Sequence, residues 1–76
     1  MEFIFNPEEV KGFEKLNEDL RTSFSYTAKK FLQAQGYEYK EERTPVSVKF
    51  LKKENAFRVD LADKSWQYFY LNGTWG

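Results

Sequence analysis

The apolar residues of this chain change their spacing at Gly36, and that change constrains the fold more than any single motif. Before it, at about 100° per residue, Val10, Phe13, Leu16, Leu20, Phe24, Thr27, Ala28 and Phe31 fall within roughly one third of a helical circumference. Lys11, Lys15, Glu18, Thr22, Ser25 and Lys29 fall opposite. After it, apolar residues alternate with polar ones, the period of a strand with one buried face. A helix followed by an antiparallel sheet is the architecture this pattern predicts.

The start of the helix is marked by Asn6-Pro7-Glu8-Glu9. Asn accepts from first-turn N–H groups, Pro needs no donor at the first helical position, and carboxylates suit the positive end of the helix dipole. Gly36 stands where a left-handed cap would close it. One helix over about 7–35 follows, with a weak point at Thr22-Ser23-Phe24-Ser25-Tyr26-Thr27, where no strong helix former occurs. Such a helix conflicts with the size of the chain. About 28 residues at 1.5 Å each would be ~42 Å long, whereas a compact domain of this length is roughly 30 Å across. Either the helix is kinked near 22–27 or one end overhangs the sheet.

Four strands are expected, at about 37–43, 46–52, 56–61 and 66–71. The links Thr44-Pro45, Lys53-Glu54-Asn55 and Ala62 to Ser65 are short enough for a meander. Asn72-Gly73 reads as a two-residue turn with positive φ at both positions, which would fold Trp75 back over the last strand. Phe3-Ile4-Phe5 reads as a short additional strand. The fold class is therefore α+β, a long N-terminal helix on a four-stranded antiparallel sheet, within a single domain spanning residues 1–76.

A single helix covers one face of such a sheet. Val46, Val48, Phe50, Phe57, Val59 and Leu61 are assigned to the helix side, and Ser47, Lys49, Arg58 and Asp60 to the other. The last strand has rings on both faces. Phe69 and Leu71 carry no polar atoms and are assigned inward, which leaves Trp66, Tyr68 and Tyr70 outside, each with a group suited to water or a partner. The alternatives are that Trp75 and the N-terminal residues cover these rings, or that the register is reversed and the rings are core.

The 76 residues include no Cys and no His, so thiolate and imidazole chemistry, disulfides and the commonest transition-metal ligands are excluded. The carboxylate pairs Glu41-Glu42 and Asp60 with Asp63 lack an apolar setting that would raise a pKa. Gly12, Gly36, Gly73 and Gly76 are too scattered for a phosphate loop. Acids at positions 8, 9, 14, 18 and 19 are interleaved with Lys11, Lys15 and Arg21, the pattern of a solvated face. The expectation is a non-enzymatic chain without cofactor or metal.

Twelve basic and twelve acidic residues cancel, so no global field draws the chain to polyanions or membranes. The two parts differ slightly: residues 1–39 have five basic and seven acidic side chains, and residues 40–76 have seven and five. The opening MEFIFNPEEV has neither a basic leader nor a long apolar run, and a cytoplasmic location without membrane contact is expected.

Aromatics are 20% of the residues, an excess of Tyr and Trp for one small core. The functional expectation is a protein-binding module, a stoichiometric inhibitor or accessory factor of the kind found in phage and mobile elements, acting on a larger protein. Its candidate partner-binding residues are Trp66, Tyr68, Tyr70, Arg58 and Lys49, types that commonly anchor or rim interfaces. Tyr26 on the helix marks a second surface. The competing expectation is single-stranded nucleic acid on the same face, with Lys49, Lys52, Lys53 and Arg58 meeting phosphates. A homodimer through that face is the third.

Overall fold

A computed structural model describes residues 5–35 and 42–76. Its described elements are two 3-10 turns, Pro7–Glu9 and Phe13–Lys15, one helix α1 (Glu18–Ala34), and strands β1 (Pro45–Leu51), β2 (Ala56–Leu61) and β3 (Trp66–Tyr70). The strands form an antiparallel sheet in the order β1-β2-β3. The chain is α+β, as the change of period implies.

The helix is much shorter than 7–35. Asn6 does act as a cap, its Oδ1 accepting from Glu8 N–H at 3.1 Å, but it opens a single 3-10 turn. Lys11 then joins the outer edge of β1: its N–H donates to Val46 O at 3.0 Å, and its carbonyl accepts from Val48 N–H at 2.9 Å. That engagement requires a reversal, and Gly12 supplies it with φ of 94°. A Cβ on Gly12 would stand 2.3 Å from Val48 O, so the approach of the two backbones is open to glycine alone.

The residues Val10, Phe13 and Leu16 are three apart, which suits the 3-10 period as well as a helical face. The true helix begins at a second cap: Asn17 Oδ1 accepts from Leu20 N–H at 2.9 Å, with Glu18 and Asp19 in the first turn. At 17 residues α1 is about 26 Å long, so the size conflict disappears.

The helix does not break at 22–27. That stretch is helical throughout because tertiary contacts outweigh its poor propensity. Phe24, Thr27 and Ala28 are wholly buried. The hydroxyls of Ser23 and Thr27 donate to Leu71 O and Tyr70 O at 3.4 and 3.5 Å, and Thr22 bonds back to Glu18 O. Residue Gln35 caps the C-terminus in an extended conformation; the left-handed cap expected at Gly36 lies outside the described residues.

The sheet has three strands among the described residues, and the expected fourth is not one of them. Residues 37–41 of that strand lie outside the described residues, and Glu42 and Arg43 form a turn. Of the proposed Phe3-Ile4-Phe5 strand, only Phe5 is described; it is not in a strand and packs against the core.

Another correction concerns Val46. The β1 register shifts between Pro45 and Ser47, a bulge that puts Val46 outside the alternation and leaves it 47% exposed. Leu71 also leaves the core face, because β3 ends at Tyr70 and Leu71 enters the following loop.

The core lies between α1 and one face of the sheet. Phe24 meets Phe57 and Phe69 at centroid distances of 5.8 and 6.0 Å, and Phe31 meets Phe69 at 5.1 Å. On the β1 side the cover is the 3-10 segment, with Val10, Leu16 and Phe13 packed into the same cluster. Phe57, Val59, Leu61 and Phe69 are each at most 2% exposed. Complete burial of such side chains contributes about 1.5–3 kcal/mol each.

Two three-residue turns shape the second half. Residues 62–64 lie between Leu61 and Ser65, whose backbones are hydrogen-bonded just ahead of β3, and residues 71–73 return the chain along the outer edge of β3. In each, the third residue has positive φ: Lys64 at 72° and Gly73 at 88°. The return at Asn72-Gly73 is thus a turn followed by a left-handed residue, and Asn72 does not share the positive φ that a two-residue turn needs. Both loops are braced by a side chain two residues before a hydroxyl residue. Asp63 Oδ1 accepts from the N–H and hydroxyl of Ser65, and Asn72 Oδ1 from those of Thr74.

Candidate functional site

The site is the face of the sheet turned away from α1. Register determines its members. Lys49 pairs with Arg58 and Arg58 with Tyr68, giving one row across all three strands. Asp60 lies opposite Trp66, and Ala56 opposite Tyr70. All five residues expected at the partner face, Trp66, Tyr68, Tyr70, Arg58 and Lys49, therefore share it.

The rings of β3 form a ladder at alternate positions. Trp66 and Tyr68 have centroids 5.0 Å apart and planes at 80°; Tyr68 and Tyr70 are 6.3 Å apart at 41°. Trp66 is 45% and Tyr70 37% exposed, and Tyr68 is partly buried between them in sequence. The Arg58 guanidinium lies over the Trp66 ring at 4.6 Å, a diagonal cation–π contact. Its Nε stands 3.8 Å from Asp60 Oδ1, while Asp60 Oδ2 accepts from the Ser47 hydroxyl at 2.8 Å.

The ladder is held by backbone pairing on both sides of β3. Inside is β2; outside, the final residues run back along the strand. Tyr68 exchanges two hydrogen bonds with Gly76, at 3.2 and 3.0 Å, and Tyr70 N–H donates to Thr74 O at 2.8 Å. This return places Trp75 opposite Phe69 and against Phe31, with centroids 5.5 Å apart and planes at 87°. Trp75 thus joins the core and does not cover Trp66 or Tyr70. The register is the one that assigns Phe69 inward.

Lys52 and Lys53 lie in the turn between β1 and β2 and do not extend the Lys49–Arg58 row. Tyr26 is on the helix, 56% exposed, with its ring packed on Gly73 and Lys30 Nζ 5.2 Å from its centroid. It belongs to a different surface. Ser47 and Asp60 complete the charged network on the sheet face; their outward positions are legible in the sequence, and their contact follows from the same register that pairs Lys49 with Arg58.

Of the carboxylates considered for catalysis, Asp60 is engaged by Ser47 and Arg58. Asp63 is held below its ordinary value by hydrogen bonds from Ser65, assisted by Arg43 at 3.7 Å. Glu41 lies outside the described residues. Among the described residues no cluster of acids could hold a metal ion, and no helix is long and apolar enough to cross a membrane. No family model matches the chain, and no curated protein or solved structure is detectably similar to it.

Proposed function

We propose that this chain is a small, non-enzymatic protein-binding module that acts through the open sheet face, as a stoichiometric inhibitor or accessory factor on a larger cytoplasmic protein. The observation that carries the proposal is the Trp66-Tyr68-Tyr70 ladder with Arg58 stacked on Trp66. Trp, Tyr and Arg are the residue types most enriched among interface hot spots. Here they are adjacent, partly exposed and mounted on paired backbone, so little ordering entropy remains to be lost on binding. Lys49 stands at the rim.

Single-stranded nucleic acid fits the same face less well. Bases stack on accessible, roughly parallel ring faces, whereas Arg58 occupies one face of Trp66 and Tyr68 meets that ring at 80°. Asp60 also sits within the row of cations.

The test has two arms. A photo-crosslinking amino acid replaces Tyr70 in one sample and the exposed helix residue Gln33 in another, in cells of the source organism. A discrete heavier protein adduct from position 70 alone is expected; equal or absent adducts contradict the proposal. In the second arm, labelled oligo-thymidylate is titrated with the purified chain at rising salt. No binding is expected, and tight binding lost steeply with salt would move the assignment to nucleic acid.

A further inference from the structure

The open face carries a charge arrangement that the fold does not need. Lys49 and Arg58 are direct cross-strand partners, a position where like charges are destabilising. The carboxylate beside them, Asp60, is already engaged through both oxygens, by Ser47 at 2.8 Å and by Arg58 Nε at 3.8 Å. Among the described residues Lys49 forms no ion pair, and the two Nη groups of Arg58 have no protein acceptor. A glutamate at position 49 would face Arg58 as an opposite charge. The lysine leaves surplus positive charge beside the aromatic ladder instead.

We infer that the occupant of this face is an acidic protein segment, with a carboxylate set against Arg58 and Lys49 and an adjacent apolar or aromatic side chain resting on Trp66, Tyr68 and Tyr70. This rests on the protein-binding reading above and adds the partner's chemistry to it. The guanidinium is suited to the role: one of its faces lies on Trp66, while its Nη edge presents paired donors with the geometry of a carboxylate. Lys49 adds a point charge next to it in register. The Arg58 side chain is 49% exposed, so the carboxylate pairing is partly screened by water and acts together with the adjacent contact on the rings.

Random dodecapeptides displayed on phage are selected against the immobilised chain and, in parallel, against Lys49→Glu. From the unaltered chain, peptides rich in Asp and Glu next to Phe, Tyr, Trp or Leu are expected, and amide-shift NMR should place them on Trp66, Tyr68 and Arg58. Lys49→Glu should bind the best of them roughly tenfold more weakly, the loss of about one favourable charge contact. Its far-ultraviolet circular dichroism checks that it is folded.

Neutral or basic peptides on the same face would overturn the acidic partner and leave protein binding standing. If oligo-thymidylate binds the face and no peptide does, both fall. If no peptide is enriched and no oligonucleotide binds, the acidic partner is overturned too.

Discussion

The two faces of the sheet use aromatic rings in opposite ways. Toward α1, Phe57 and Phe69 are fully buried and meet Phe24 and Phe31 at 5 to 6 Å. Away from it, Trp66, Tyr68 and Tyr70 stand beside Arg58, Lys49 and Asp60, partly exposed. Among the described residues, every ring on the inner face lacks a polar atom except Trp75, which enters along the outer edge of β3, and every ring on the outer face has one. The difference teaches that ring count alone says nothing of spare surface, while the chemistry of each ring, read with strand alternation, separates fold from site.

The strongest way to break the comparison is to truncate an inner ring. Phe69→Ala removes contacts to both Phe24 and Phe31 and should cost about 3–5 kcal/mol. A chain of this size has little more than that in total, so loss of the cooperative transition in urea is expected. A normal transition would show that the inner face is not the core.

Gly12→Ala comes next. Its Cβ would meet Val48 O while the backbone keeps a φ suited to glycine, a strain of about 1–3 kcal/mol. The urea midpoint should fall, and the Lys11 and Val48 amides should lose protection from hydrogen exchange. An unchanged midpoint would mean that the N-terminal segment does not need the β1 edge.

On the outer face the same kind of truncation should do less to folding. Trp66→Ala gives up the Arg58 and Tyr68 contacts, together worth about 1–2.5 kcal/mol, yet it should abolish partner binding. A loss of stability as large as that of Phe69→Ala would erase the distinction between faces.

Lys49→Glu sharpens it further. Replacing the like-charged pair with an opposite-charged one should raise stability by a few tenths of a kcal/mol while weakening an acidic partner. Thermal melts of the two proteins at low salt measure the first effect; a lower melting temperature for the variant contradicts it.

The smallest effect belongs to Asp63, outside both faces. Its pKa in the folded chain is below the ordinary 3.8, chiefly through Ser65. A carboxylate of lowered pKa contributes stability above its unfolded value, and that contribution disappears as pH falls through the folded value. Acid titration of stability should therefore be slightly shallower in Asp63→Asn below about pH 4, and identical curves would contradict the lowered pKa of Asp63.

Much of the second half was legible because alternation is local. Val48, Phe57, Val59, Leu61 and Phe69 face inward as their spacing requires, and the outward set on β3 follows from the same rule. Val46 and Leu71 were not, since a bulge and a strand end depend on pairing across the sheet. In the first half, Val10, Phe13 and Leu16 keep a helical phase without forming a helix. The decisive interaction is Lys11 with Val46 and Val48, some 35 positions away in sequence and invisible to periodicity. Two local signs were nevertheless present: Gly12 inside the supposed helix, and Asn17-Glu18-Asp19, a second cap. The functional face was legible as a set of residues; the stacking of Arg58 on Trp66 was not, because it is diagonal between strands.

The division of rings between faces is tested most directly by acrylamide quenching of two single-tryptophan proteins, Trp75→Phe and Trp66→Phe. The first reports Trp66 on the open face, the second Trp75 against Phe31. Fluorescence of Trp66 should be quenched more steeply than that of Trp75, and equally so at low and high protein concentration. Quenching of Trp66 that is no steeper than that of Trp75 would contradict an open aromatic face, and protection of Trp66 that grows with concentration would show that a second copy covers it.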